Sequence, residues 1–408
     1  MKFNFRYFAP VALSLLFVLP VCAAPLTLSQ ALALAEQNSP ALKVATIQVD
    51  GAQAALISAQ SFANPDIEFG TGNSHLLPAL NGHNSAFSVA QALEFPAVRN
   101  ARQRAAEAGV TSGLALQEEA RINLRAQVKL AFFDILRRQD EAKLAAENQA
   151  LLLQIRNRVK LRVEVGESPR YELVKSEAEL MAAESAAQTA EIRVAQAKDK
   201  LRSLSATPPN QPVELVHDIP ASHELPELGQ LRAVLLLNQP LLKTALAETE
   251  RSEAKLEQER SLRIPQPTLK WSAERHPDVN LWRVSVAMPL PLWNQRAGPV
   301  GEAHASRERA LADQERIRFS LLGELDQAYG RYQIARRQLV VFETGLIRDA
   351  ESALKVAEAA YRYGERGILD YLDAQRVFRS TRMDYVNARY ELQFALVDIE
   401  RLCAGETK

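Results

Sequence analysis

Two carboxylates three positions apart, Asp370 and Asp373, are the pair in this 408-residue chain whose spacing holds the most chemistry. On a helix that starts near Ile368 they share one face, close to the positive end of the helix macrodipole. Brought together from several copies, such acids would form a ring that favours cations; taken singly, they are ordinary first-turn acids that stabilise a helix, and the residues alone leave both readings open. The six histidines offer no comparable constellation. His75, His83 and His276 are expected in the turns of two hairpins, His217 and His223 in a proline-rich linker, and His304 on a helix. No pair among them has the spacing of a zinc site, and the chain contains no phosphate loop, nucleophile elbow or CxxC motif. Catalysis, a bound metal and a cofactor are therefore not expected.

The start of the chain sets its destination. Lys2 and Arg6 precede an apolar stretch over 11–21 and then Ala23 and Ala24, the three-part pattern of a secretory signal peptide. Pro25 would block a cut after Ala24, so the signal is expected to be 1–23. Leu19-Pro20-Val21-Cys22 has the outline of a lipoprotein box with bulky Val21 where a small residue is wanted, which leaves lipidation of Cys22 open. If Cys22 is removed, Cys403 is the one remaining thiol and no disulfide can close within the chain. Beyond the signal no apolar run approaches the roughly 20 residues that a membrane-crossing helix needs. With 49 basic and 49 acidic residues interspersed, nothing suggests nucleic acid as a partner.

Proline placement gives the organisation. Prolines are missing from 97–168, 170–207 and 300–408 and crowd into 208–299. Since a proline costs about 3 kcal/mol inside a helix, the free stretches are where long helices run. A heptad-like apolar track passes through Leu124, Val128, Ala131, Ile135, Leu152 and Val159, and a second through Leu325, Tyr332, Leu339, Leu346, Ala350, Ala353, Ala357 and Ala360. A helix over 97–163 would be about 100 Å long, too long for a compact domain.

The chain is also written twice. Leu28, Gln30, Asn38, Pro40, Leu42, Lys43 and Ala45 return as Leu228, Gln230, Asn238, Pro240, Leu242, Lys243 and Ala245, and Gly166-Glu167 returns as Gly364-Glu365. The expected organisation is a first repeat over 24–207, a proline-rich linker over 208–226 and a second repeat over 227–408. Each repeat holds two short helices, a β-hairpin (64–95 and 266–292) and a long helical hairpin (97–204 and 300–404).

The β-hairpins carry the membrane inference. Trp282, Val284, Val286, Met288 and Leu290 alternate with Arg283, Ser285, Ala287 and Pro289, and Ile67 and Phe69 alternate with Asp66, Glu68 and Gly70. Segments of about ten residues suit a tilted strand through a bilayer, and equally a soluble hairpin. Strands in lipid must close into a barrel without edges, and four cannot, since the smallest single-chain membrane barrels need about eight. Several copies must then contribute four each, with outer-membrane lipid around them; three copies would give twelve.

Three segments carry a resemblance that covers essentially the whole mature chain. Leu26-Thr27-Leu28-Ser29-Gln30-Ala31-Leu32 with 38–42, Pro289-Leu290-Pro291-Leu292-Trp293-Asn294-Gln295-Arg296-Ala297-Gly298, and above all the run from Tyr361 to Gln375 resemble the TolC family of outer-membrane efflux proteins. Overall length and hairpin motifs are most similar to its CzcC-like, heavy-metal branch. The resemblance implies an α+β membrane protein: a trimeric twelve-stranded β-barrel, four strands per protomer, continued by a long periplasmic α-helical barrel whose tip stays shut until a pump complex docks. Its partners would be two further copies, a periplasmic adaptor and an inner-membrane pump of the RND type. Asp370 and Asp373 would line the constriction, and Tyr361 and Arg366 would belong to a latch. The partner carboxylate falls on Glu172 where the best-known member has aspartate. The short reversals, with Val165, Gly166 and Glu167 in the first and Gly364, Glu365 and Gly367 in the second, are where an adaptor should dock, although plain connection would explain them too. Drug efflux or type I protein secretion are alternative duties for the same channel. A soluble periplasmic coiled-coil adaptor is the competing class, but it would carry one helical hairpin between β-domain halves, and this chain has two in tandem.

Overall fold

The computed structural model describes residues 26–74, 82–206, 214–217 and 224–405. The expected signal peptide, Cys22, His75 and His223 lie outside them, as does much of the linker. Helix α1 (Leu28–Asn38) opens on a capping box in which the backbone N–H of Gln30 donates to Thr27 and that of Thr27 donates to the Gln30 side chain at 2.9 Å. It stops where Pro40 follows, because the residue before a proline is pushed out of the α region. Pro40 then starts α2 (Pro40–Gln60) at the position where a missing N–H costs nothing. Helices α5 (Leu228–Asn238) and α6 (Pro240–Ser261) repeat the proline break 200 residues on, with Pro240 in the same role, although α5 opens at Glu227 without a side-chain cap.

After α2 and α6 come the strands β1 (Asp66–Ser74), β2 (Gly82–Ala92), β3 (Thr268–Arg275) and β4 (Asn280–Ala287), an antiparallel meander in the order β1-β2-β3-β4. The ladder is shorter than the expected hairpins. It ends at Ala287 because Pro289 and Pro291 have no N–H to give to a rung; Met288 and Leu290 continue the chain as irregular structure. His83 also departs from expectation: it stands inside β2 opposite Asn73 rather than in the turn, since the strand begins at Gly82.

Long helices complete each repeat: α3 (Pro96–Glu164) and α4 (Arg170–Ser205) in the first, α7 (Ala297–Val341), α8 (Ile347–Arg362) and α9 (Ile368–Leu402) in the second. Between α7 and α8 a π turn over Phe342–Leu346 leaves helical geometry at Gly345. The added residue swings the following turns out of the expected track. Leu346 and Ala353 are exposed, and the face turned inward on α8 is Ala350, Leu354, Ala357 and Tyr361.

Each strand continues a helix or leads into one, and the helices stand in the same order as the strands. On the sheet side α2 packs on α3, α3 on α6 and α6 on α7; farther away α4 packs on α3, α3 on α9, and α9 on α7 and α8. The protomer is thus a wall four staves wide. Three apolar clusters hold it. One gathers α1, α3, α4 and α9 around Phe132, Ile135 and Tyr390, its counterpart gathers α5, α7 and α9 around Leu235, Leu325 and Ile399, and a third ties the far ends of α3, α4, α8 and α9 together. Leu325 is fully buried, so Leu325→Ala should destabilise the fold by about 2–5 kcal/mol. Leu346→Ala, on the exposed flank, should stay within about 0.5 kcal/mol of the parent. Thermal unfolding of the two variants checks this contrast, and equal midpoints would contradict the packing described.

Candidate channel wall and gate

Directly paired residues share a sheet face, and the register sorts the four strands into two unlike faces. Ile67, Phe69, Phe87, Val89, Leu269, Trp271, Trp282, Val284 and Val286 lie on one face, where Phe87 and Trp271 meet edge to face at 6.0 Å. Glu68, Ser88, Lys270, Ser272, Arg283 and Ser285 lie on the other. On that polar face the Lys270 ammonium donates to Glu68 at 3.2 Å across the intervening strand, and the Ser88 hydroxyl donates to the same carboxylate at 3.3 Å. In a lone protomer the apolar face is bare, with Trp282 at 75%, Phe69 at 71% and Val286 at 66% exposure. No water-facing sheet needs such a surface.

The outer strands β1 and β4 each pair on one side only among the described residues. The same holds for the helical wall, whose outer staves are α2 with α4 at one flank and α7 with α8 at the other. Exposed apolar side chains lie on both flanks: Val44, Ile47, Tyr171, Val174 and Met181 on the first, Phe319, Ile334 and Val356 on the second. Both layers end at unlike flanks, so one copy's second flank can meet the next copy's first, a head-to-tail contact that closes into a ring. Among the described residues no helix is long and apolar enough to cross a membrane, and no group of acidic, histidine or cysteine side chains is placed to hold a metal ion.

At the end remote from the sheet the two helical reversals lie side by side. Gly166 and Gly364 take positive φ of 83° and 77°, which a side chain would resist, and each follows a long helix whose last carbonyls accept from the turn. Tyr361 and Tyr371 are both 3% exposed and stack at 5.9 Å with 17° between their rings. Burial raises both phenols above their ordinary pKa; for Tyr361 the Arg162 cation acts against that shift and the Glu172 carboxylate adds to it. The sequence-expected latch residues Tyr361 and Glu172 are therefore neighbours although 189 positions separate them. The Tyr361 hydroxyl and one Glu172 oxygen are buried without a hydrogen-bond partner among the described residues. Arg366 is not in this group: it pairs with Asp370 of its own hairpin at 3.4 Å. Asp370 and Asp373 do share a face of α9, exposed and turned away from the apolar cluster. Val165, Glu167, Glu365 and Gly367 are exposed at the tips.

Sequence reasoning missed the groups that cross between hairpins: Arg162, Tyr371, and the pairs Glu179–Arg376 at 2.9 Å, Glu147–Arg382 at 2.8 Å and the buried Asn148–Gln375. The internal repeat gives no signal for them, because they join one repeat to the other and each side supplies a different residue.

Residues 231–405 match the family described as outer membrane efflux protein. The chain is 27% identical over 387 residues to the cobalt-zinc-cadmium resistance protein CzcC of Cupriavidus metallidurans, covering 93% of this chain and 90% of that protein. Its fold is that of the outer-membrane channel OprN, with a TM-score of 0.83 at 19% identity over 93% of this chain and 90% of the other. The CmeC outer membrane channel of Campylobacter jejuni superposes at 0.81 and 17%, over 93% and 86%.

Proposed function

We propose that this protein, an outer-membrane efflux channel of the TolC family, is the outlet through which heavy-metal cations leave the cell. A member of that family is a conduit and not an enzyme, so the task of the residues is to build a wall, line it and close it. Three protomers join flank to flank, β4 of one beside β1 of the next, and satisfy the strand edges that lipid cannot. The apolar face meets the outer membrane, the polar face with Glu68 and Lys270 lines the lumen, and the helices carry the tube on into the periplasm. There the exposed reversals around Val165-Gly166-Glu167 and Gly364-Glu365-Gly367 receive a periplasmic adaptor, which links the channel to an inner-membrane pump of the RND type.

The observation that carries the metal assignment is the similarity to CzcC along nearly the whole of both chains. Asp370 and Asp373 support it: three copies would set six carboxylates around the narrow end, a ring that concentrates cations before they pass. Arg366, held against Asp370, offsets part of that charge, and Tyr361, packed in the apolar cluster with residues of α3 and α4, joins the second hairpin to the first. Deleting the gene should sensitise cells to zinc, cobalt and cadmium salts and leave tolerance of organic drugs nearly unchanged. A deletion strain sensitive to drugs alone would assign the channel to drug efflux instead.

A further inference from the structure

The tip contains a group that none of these roles uses. Arg162, in the last turn of α3, belongs to the first hairpin, yet its guanidinium lies 5.2 Å from the ring centre of Tyr361 on the second and donates to the Tyr361 carbonyl at 3.5 Å. Its Nε also faces Glu167 in the first reversal at 3.6 Å. Behind Tyr361 stands Tyr371, stacked nearly parallel and equally buried. The order is therefore carboxylate, guanidinium, phenol ring, phenol ring, running from the first reversal into α9. A planar cation over an aromatic face is favourable because the ring quadrupole attracts it, more so where water is scarce. The Tyr361 carbonyl, which also accepts from the Gly364 N–H at 3.2 Å, adds a charge-assisted bond at the C-terminal end of α8.

We propose that Arg162 and Tyr371 form a clasp between the two hairpins of one protomer, and that this clasp sets how readily the periplasmic tip opens. The inference rests on the reading of the tip as the gate. Two features distinguish the clasp from ordinary tip packing. It joins the hairpins, whereas Arg366–Asp370 stays within one. It also engages the Tyr361 ring and backbone carbonyl, two contacts that remain when the phenol oxygen is removed. Arg162 is a positioning residue here: it fixes Tyr361, and Tyr371 prevents the ring from sliding away.

The test is single-channel recording of the trimer in planar bilayers, without adaptor. Arg162→Ala and Tyr371→Ala should each raise the fraction of time spent in the conducting state about tenfold, the scale of one well-placed cation–π contact with its hydrogen bond. Arg162→Lys keeps the charge but not the planar fork and should fall between parent and alanine variant. Tyr361→Phe should preserve the clasp. Where an alanine variant yields no trimer, Arg162→Gln and Tyr371→Phe, which retain most of the packing, take its place, with increased opening expected for the former and none for the latter. Opening unchanged in Arg162→Ala or Arg162→Gln, or increased equally by Arg162→Lys, overturns the clasp. The double variant Asp370→Ala with Asp373→Ala keeps the two readings apart. If it loses cation selectivity while Arg162 variants behave as parent, the gate stands and the clasp falls; if neither changes anything, the tip is not the gate.

Discussion

Arginine in place of Val284 should remove the trimer from the outer membrane. Val284 lies in the middle of β4, opposite Trp271, on the apolar face of the sheet and 56% exposed in the protomer. A charged residue at the midplane of a membrane barrel costs about 2–4 kcal/mol, and threefold repetition raises this to roughly 6–12 kcal/mol per assembly. That is comparable with the whole stability of a typical domain. Ser285→Arg, one position along, turns its side chain to the polar face beside Lys270 and should assemble close to normally. Membrane fractionation followed by gel analysis of unheated samples reads the outcome. Equal trimer yields from the two variants would mean that the faces are assigned wrongly.

The second large effect concerns selectivity. Removing both Asp370 and Asp373 takes six negative charges from the proposed constriction, and the preference for potassium over chloride in bilayer recordings should fall at least about fivefold, since rings of carboxylates select cations in narrow pores. The effect should be strongest at low salt, where the Debye length grows to about 30 Å at 0.01 M and charges act on one another over the width of a pore. Arg366→Ala should act in the opposite sense, because it unmasks the Asp370 carboxylate it now pairs with at 3.4 Å. A pore whose selectivity ignores all three substitutions would have its constriction elsewhere.

Much of this architecture could be read from the chain because it rests on coarse physical quantities. Proline exclusion located the long helices, since one proline would break them. The alternation through Ile67, Phe69, Trp282 and Val284 gave the faces of the sheet, since period-two patterning survives any small shift of strand ends. The details that escaped depend on a single residue's excess or on contact between repeats. The π turn at Phe342–Leu346 carries no proline or charge signal, and it moved Leu346 and Ala353 out of the packing while bringing in Leu354 and Tyr361. His83 was misplaced by the start of one strand. At the tip, family resemblance points to Tyr361 and Glu172 as expected latch residues but not to Arg162 or Tyr371, because a guanidinium over a ring is a property of where two distant helices end.

The unlike flanks of the protomer have a genetic consequence. In a head-to-tail ring every subunit uses both edges, so a copy damaged at β1 alone can still join on its other side and then leaves the cylinder unsealed. Expressed in equal amounts beside the parent and mixing at random, such a variant would leave only about one assembly in eight free of it. Edge lesions in this protein should therefore behave as dominant.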